Sequence, residues 1–270
     1  MIEAYGYKQQ RINDLHNIDK NSNNFYNYKD LNFLSKLNLD NENIVIIFHG
    51  SIPEKNIGDF DVIFRGYNYN IKNTDIICIS DYLLSKYKAN YSVNWSLSTK
   101  KHPDTDLLYK ELFEYLISIK KYKNVIFTGT SAGGLPSLKF GSFFNYIAII
   151  ANSQLYIENY FDNIGLKAIQ KYIDIDDEVI YDNKMIKKII LQSHPKQIIY
   201  YQNINDIGPK PHNSYADFLQ FKSFIKINKL DKICIFNNFD EKKSEINPHS
   251  IQFPDNKKHI QILQDFLDTN

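Results

Sequence analysis

Hydrophobic residues along this chain are concentrated in short continuous runs that are separated by long polar stretches. Six of these runs, each five to eight residues long, occupy positions 44–48, 75–80, 124–129, 145–152, 197–203 and 232–238. Continuous rather than alternating hydrophobicity over such a length is typical of a β-strand that is buried on both faces. The runs therefore predict strands of a mostly parallel sheet.

Segments with helical periodicity lie between several of the predicted strands. Residues 107–122 place leucines at four-residue spacing from Leu108 onward, and the end of the chain carries a similar stripe from Ile260 to Leu267. Apolar residues three and four positions apart share one face of a helix. Strands that alternate with helices, without internal repeats, predict one α/β domain over residues 1–270, with helices on both faces of a central sheet.

Two regions fall outside this alternation. Residues 1–43 are polar and rich in Asn and Tyr, and we expect them to add edge strands or a short helix. Residues 155–194 exceed the length of one crossover helix, which indicates a helical insertion before the strand at 197–203. The insertion can be a lid over the sheet edge or a plain pair of crossover helices, and the pattern does not choose between them.

Charge and hydrophobicity exclude several classes of function. Lys and Arg (32) nearly balance Asp and Glu (31), so no net field favours nucleic acid or an anionic membrane. The longest apolar runs are far shorter than the roughly 20 residues that span a bilayer. The N-terminal residues carry no apolar segment typical of a secretory signal. We therefore expect a cytoplasmic protein with no membrane span and no nucleic-acid partner, and the oligomeric state is left open.

The chain contains two cysteines, Cys78 and Cys234, and each lies inside a predicted strand. Free cysteine behaves as a small hydrophobic residue and is often buried. We predict that both are buried free thiols of a reducing compartment, rather than a disulfide or a pair of metal ligands.

The run at 124–129 ends in a cluster of small residues around one serine. Residues 129–133 read Gly-Thr-Ser-Ala-Gly, which fits the pattern G-x-S-x-G of a nucleophile elbow. In that turn the strand enters a helix so sharply that side chains at the glycine positions would strike their neighbours. The same residues lack the G-K-[S/T] of a P-loop and the spacing of G-x-G-x-x-G. Ser131 is therefore the candidate nucleophile, against the alternative of a turn without chemistry.

A serine hydroxyl needs a base to remove its proton and a carboxylate to orient that base, in the chain order Ser, acid, His. Asp206 follows the penultimate predicted strand, and His249 follows the last one. Open α/β sheets place functional groups at these carboxyl ends of strands. We predict Asp206 as the acid and His249 as the base, with Asp217, His212 and His259 as rival candidates.

Acyl transfer also needs two backbone N–H groups that bind the developing oxyanion. Ala132, directly after the serine, is predicted to supply one of them. The loop after the run at 44–48 reads His49-Gly50-Ser51, and Gly50 or Ser51 is predicted to supply the other. We interpret His49 itself as an architectural residue.

On these residues the chain resembles the α/β-hydrolase superfamily over roughly residues 44–265. Within it, the chain is similar to serine-triad proteins of bacterial capsule and surface-polysaccharide biosynthesis, some of which are sugar O-acetyltransferases. The similarity is carried by the stretches ISDYLL, GTSAGG, ANSQLYIENY, YYQNINDIGPKPHNSYADF and NPHSIQFPDNKKHIQILQDFL. The NPHS stretch departs from the usual pattern, in which a glycine often flanks the histidine.

The resemblance implies an acyl-serine intermediate, no metal and no organic cofactor, with acetyl-CoA as a candidate acyl donor. It implies O-acetylation of a carbohydrate as the main function. Trp95 and His212 are candidate contacts for that substrate, and for Trp95 a packing position is the alternative. Two rival functions stay open: a carboxylesterase or deacetylase that acts on small acyl esters, and a non-catalytic scaffold subunit of a polysaccharide assembly complex.

Overall fold

The structure, a computed structural model, divides the chain into two compact units. The first unit comprises Met1–Val125 and Ala168–Tyr181, and the second comprises Ile126–Lys167 and Asp182–Asn270. The described residues are 3–50, 62–87, 95–157, 177–182, 184–207, 214–242 and 247–270. The organisation of the chain as a single domain stays a prediction.

The described residues of the first unit contribute six adjacent strands to a β-sheet. In chain order they are β1 (Glu3–Ala4), β2 (Tyr7–Ile12), β3 (Asn23–Tyr28), β4 (Leu31–Lys36), β5 (Asn43–Phe48) and β6 (Thr74–Ile79). Their spatial order is β1-β2-β3-β4-β6-β5. The β2/β3 and β5/β6 pairs are parallel, and the other neighbours are antiparallel. All residues of β5 and β6 are buried, as their continuous hydrophobicity predicts.

Two helices and a small ribbon complete the described part of the first unit. The helices are α1 (Tyr82–Tyr87) and α2 (Thr105–Ser118). Helix α2 buries Leu112 and Leu116 of the predicted apolar stripe. The short strands β7 (Ser98–Thr99) and β10 (Val179–Ile180) pair in antiparallel fashion.

Among its described residues, the second unit has four parallel strands and four α-helices. The strands are β8 (Asn124–Thr130), β9 (Ile147–Ala151), β11 (Gln197–Asn203) and β12 (Cys234–Phe239), adjacent in this order. The helices are α3 (Gly134–Phe143), α4 (Met185–Gln192), α5 (Ser214–Ile227) and α6 (His259–Thr269). Because the strands are parallel, their carboxyl ends meet at one edge of the sheet. The residues that follow the four strands therefore gather at that edge.

The structure confirms the six predicted strands as β5, β6, β8, β9, β11 and β12. Residues 1–43 add four strands, which is one of the outcomes expected for this region. Of the predicted insertion at 155–194, residues 158–176 and 183 lie outside the described residues, so its role as a lid stays a prediction. Helix α4 lies in the remainder and leads into β11. No helix in the described ranges has the length and hydrophobicity needed to cross a bilayer.

The two cysteines provide a direct test of the core. Cys78 in β6 is fully buried, and Cys234 in β12 is 9% exposed. Burial raises the pKa of the Cys78 thiol to about 12 and also raises the pKa of the Cys234 thiol above its usual range. Because the thiolate is the reactive species, we expect neither thiol to react with dithionitrobenzoate at pH 8 in the native protein, and both to react after unfolding in guanidinium. Rapid release of chromophore from the native protein would contradict this packing.

Candidate active site

The serine of the G-x-S-x-G pattern lies in a strained turn at the carboxyl end of β8. Ser131 has φ +55°, the left-handed region that residues with a side chain rarely adopt. It begins a single 3-10 turn, Ser131–Gly133, and α3 follows directly at Gly134. Such a conformation costs roughly 1–3 kcal/mol and is often found at functional sites. The turn therefore has the local geometry that the sequence pattern predicts.

Two of the glycines around the serine are required by close contacts. A Cβ atom on Gly129 would lie 2.3 Å from the carbonyl oxygen of Gly133. A Cβ atom on Gly134 would lie 2.0 Å from Ser153 Oγ and 2.4 Å from Ser153 Cβ. Both separations are well inside van der Waals contact. The glycines thus allow β8, the turn and α3 to pack as closely as they do.

The structure brings Ser131, His249 and Asp206 together in one hydrogen-bonded chain. His249 Nε2 lies 2.8 Å from Ser131 Oγ, and His249 Nδ1 lies 2.7 Å from Asp206 Oδ2. The carboxylate can only accept at Nδ1, so Nδ1 carries the proton and Nε2 accepts from the serine hydroxyl. The side chains of His249 and Asp206 are 12% and 2% exposed. This arrangement can remove a proton from Ser131 and deliver it elsewhere.

Two further polar side chains hold the carboxylate of Asp206, and the sequence analysis did not predict them. Ser214, the first residue of α5, donates its hydroxyl to Asp206 Oδ2. Gln202 in β11 donates to Ser214 Oγ at 3.1 Å. Ser214 and Gln202 are both buried. No motif marks either residue, because their role arises only when α5 packs beside the end of β11.

Two of the rival residues have other partners. Asp217 is buried, and its Oδ2 accepts hydrogen bonds from the backbone N–H groups of Leu155 and Tyr156 at 2.9 and 3.0 Å. His259 at the start of α6 contacts Thr128 Oγ1 in β8 at 2.7 Å. Neither contact involves His249 or Ser131. The third rival, His212, lies outside the described residues, and so does its candidate role in substrate binding.

The oxyanion donors were predicted at Ala132 and in the loop after β5. Ala132 follows Ser131 directly and is buried in the second unit. Gly50 lies in the first unit, and Ser51 lies outside the described residues. All three assignments stay predictions.

His49, at the end of β5, uses both ring nitrogens within the first unit. Its Nδ1 lies 2.7 Å from the Gly50 carbonyl oxygen, and its Nε2 accepts from the backbone N–H of Asp81 at 3.2 Å. Desolvation lowers the pKa of His49, which favours the neutral ring that can donate at one nitrogen and accept at the other. These contacts give His49 the architectural role that we expected for it.

Trp95 has a packing position in the first unit rather than an open face. Its residue surface is 3% exposed, and its φ is +57°. Stacking on a sugar needs a ring face that the sugar can reach. The burial of Trp95 leaves almost no such area, so the structure favours the packing alternative.

Comparison with known proteins gives fold-level likeness only. No protein-family model matches the chain, and no curated protein matches it significantly. Among solved structures, an S-formylglutathione hydrolase from Agrobacterium tumefaciens matches with a TM-score of 0.50 and 9% identity, over 94% of each chain. A mutant of the esterase E40 matches with a TM-score of 0.52 and 10% identity, over 94% of this chain and 87% of that one. An acylaminoacyl peptidase from Pyrococcus horikoshii matches with a TM-score of 0.53 and 14% identity, over 94% of this chain and 42% of that one.

The chain has the α/β-hydrolase fold. The order of the candidate residues along the chain, Ser131 then Asp206 then His249, is the order in which the α/β-hydrolase fold carries its triad. At such low sequence identity, the chemistry of the neighbours does not transfer to this protein, and the argument for function depends on the geometry of the site.

The close packing of the elbow in this α/β-hydrolase fold can be tested at Gly134. The residue has φ −68° and ψ −36°, so alanine would suit its backbone. We nevertheless expect Gly134→Ala to lower stability by about 1–3 kcal/mol, because the new methyl group meets Ser153. Adding Ser153→Gly, which removes both clashing atoms, should recover most of the loss. Thermal unfolding of the two single variants and the double variant measures this. A Gly134→Ala protein as stable as wild type, or a double variant no better than Gly134→Ala, would contradict the packing.

Proposed function

We propose that this protein is a serine-dependent acyl-transfer enzyme that hydrolyses esters through an acyl-Ser131 intermediate. The observation that carries the proposal is the hydrogen-bonded chain from Ser131 through His249 to Asp206, with contacts of 2.8 and 2.7 Å. The strained backbone of Ser131 supports it, because strain of this kind must be compensated by the surrounding fold. A turn without chemistry has no need of either feature.

In the first half of the reaction, Ser131 Oγ attacks the carbonyl carbon of the ester while His249 Nε2 takes the hydroxyl proton. Asp206 holds the imidazole in the tautomer that leaves Nε2 free and stabilises the positive charge that forms on it. We expect the Ala132 N–H to bind the oxyanion. The tetrahedral intermediate breaks down when the bond to the leaving alcohol breaks, and His249 gives the proton to that alcohol. The product is the acyl-serine.

In the second half, His249 deprotonates the acceptor, whose oxygen attacks the acyl-serine. Ser131 leaves as the alkoxide and regains the proton from His249. With water as the acceptor, the products are a carboxylic acid and free enzyme. These steps need a nucleophile, a base and an orienting carboxylate, so the proposed reaction has no role for a metal or an organic cofactor. Acetyl-CoA would enter only as an acyl donor.

The hydrolytic form of the reaction is better supported than transfer to a sugar. Two structural neighbours are named as an esterase and a hydrolase. Their similarity to this chain is a similarity of fold only. O-acetylation of a capsular or surface polysaccharide is the second candidate, and the sequence resemblance is what supports it. A scaffold subunit is disfavoured by the intact hydrogen-bonded chain. The two buried, free cysteines agree with a role in the reducing cytoplasm.

Covalent labelling tests the nucleophile without knowledge of the substrate. We expect a fluorophosphonate to label the wild-type protein once, at Ser131, and not to label Ser131→Ala. His249→Ala should slow labelling by about 10³-fold or more, and Asp206→Asn by a smaller factor that still spans orders of magnitude, because the amide favours the wrong imidazole tautomer. Intact-mass spectrometry and peptide mapping measure both the site and the rate.

Ser142→Ala is the matched control for this experiment. Ser142 is another buried serine of the same unit, and its hydroxyl bonds to the Leu138 carbonyl of its own helix at 2.7 Å. The control should be labelled at the wild-type rate. Labelling of a different serine, or undiminished labelling of His249→Ala, would refute the proposed site.

The fate of the acyl group decides between hydrolysis and transfer. With p-nitrophenyl acetate or acetyl-CoA as donor, we expect all of the acetyl group to appear as acetate, at a rate that added saccharides leave unchanged. A transferase would instead consume the donor faster when its saccharide is present, with ping-pong kinetics, and acetyl groups would appear on the sugar. Measuring acetate and acetylated sugar by NMR across a panel of capsule oligosaccharides distinguishes the two. Acetyl transfer to any member of the panel would overturn the hydrolytic assignment.

A further inference from the structure

Asn152, the residue directly after β9, occupies an unusual position beside the candidate triad. Its side chain is fully buried, and its φ is +43°. Asparagine tolerates the left-handed region better than most residues with a side chain. Its backbone N–H continues the parallel ladder by donating to the Tyr201 carbonyl in β11 at 3.0 Å. Backbone and side chain are therefore both fixed at the edge where the four strands end.

The carboxamide of Asn152 uses both of its N–H donors and its oxygen on the two segments that carry the candidate acid and base. Its Oδ1 accepts from the backbone N–H of Asn203, at the end of β11, at 2.9 Å. Its Nδ2 donates to the carbonyl of His249 at 3.2 Å and to the carbonyl of Ile251 at 3.0 Å. One buried side chain thus ties the end of the acid-bearing strand to the backbone of the histidine itself.

A second buried asparagine, Asn203, also donates hydrogen bonds to the segment that leads to His249. Asn203 Nδ2 donates to the carbonyl of Glu241 at 2.9 Å and to that of Pro248 at 3.3 Å. His249 lies in a single 3-10 turn, Pro248–Ser250. Hydrogen bonds inside so short a turn are local and do not join the loop to the sheet. The position of the imidazole therefore depends on these bonds from the strand ends to the loop carbonyls.

Asparagine is the residue type that this position demands. Two backbone carbonyls face the side chain, so it must offer two donors, and one backbone N–H faces it, so it must also offer an acceptor. Aspartate has the same shape but would direct only acceptors at the two carbonyls. An apolar side chain would remove all three of these hydrogen bonds, and burial without a hydrogen bond is costly for a backbone polar group.

We infer that Asn152 is a positioning residue of the proposed acyl-transfer site. Its carboxamide holds the backbone of His249 and Ile251 so that the imidazole stays within hydrogen-bond distance of both Ser131 and Asp206. The inference rests on the proposed function. It assigns Asn152 no contact with substrate, and its effect on the reaction passes through His249.

The test uses the rate of phosphonylation by a fluorophosphonate at saturating and subsaturating probe concentrations. Asn152→Gly removes the side chain with its carboxamide and places a residue that is suited to φ +43°, so backbone strain does not confound the result. We expect a limiting rate constant about 10- to 100-fold below wild type, with the half-saturating probe concentration unchanged, because displacement of a catalytic group by about 1 Å costs this much.

Asn145→Gly is the matched control. Asn145 also has a left-handed backbone, with φ +54°, and it lies in the exposed turn between α3 and β9. It should react at the wild-type rate. Asn152→Asp is the second variant, since it keeps the side-chain volume and the tolerance of left-handed backbone if Asn152→Gly proves unstable. It should show the same loss because it lacks both donors.

A double-mutant cycle separates positioning from a general structural defect. In a His249→Ala background there is no imidazole to position, so Asn152→Gly should change the residual rate by less than about twofold. Equal losses in the wild-type and His249→Ala backgrounds would show a defect that does not pass through His249 and would overturn the inference. So would an Asn152→Gly protein that reacts at the wild-type rate. A wild-type protein that does not react at all would instead refute the proposed function, on which the inference rests.

Discussion

The left-handed backbone at Ser131 is the constraint around which the second unit is built. The cost of roughly 1–3 kcal/mol for such a conformation must be offset by the contacts around it. The whole of β8 is buried before the turn, and α3 is buried from Gly134 to Ser142 after it. The Ser131 carbonyl accepts from the N–H of Gln154, beyond the end of β9, at 3.1 Å. The turn is therefore held from three sides, and relaxing it would require breaking packed structure on each of them.

The order of the parallel strands brings the other candidate residues to the edge of the sheet where Ser131 lies. Ser131, Asn152, Asp206 and His249 follow β8, β9, β11 and β12, which lie side by side in that order. The contact between His249 and Ser131 spans 118 residues of chain and the contact between His249 and Asp206 spans 43. The sheet brings these distant segments to one edge, and local side-chain hydrogen bonds set the final distances.

The sequence predicted those parts of the candidate site that a local sequence pattern marks. The elbow could be predicted because its close packing demands glycines near the serine, and the candidate acid and base could be proposed because each follows a continuous hydrophobic run. Ser214 and Asn152 could not, because each acts through contacts that only tertiary packing creates. The N-terminal strands were predicted only in outline, since polar side chains occupy buried strand positions there. For example, Asn27 and Asn32 are buried and hydrogen-bond to each other across β3 and β4 at 2.8 Å.

Neutral amide side chains, rather than charged groups, form these hydrogen bonds to the loop that carries His249. A buried charge used as an anchor would need its own counter-charge and would act on the imidazolium that forms in the proposed reaction. Asn152 and Asn203 bind backbone carbonyls without adding a net charge. Asp206 supplies a carboxylate in direct contact with the ring. In the proposed site, different residues thus set the position of the His249 ring and its electrostatics. We therefore expect a change at Asn152 to alter where the imidazole lies, while the carboxylate that orients it is retained.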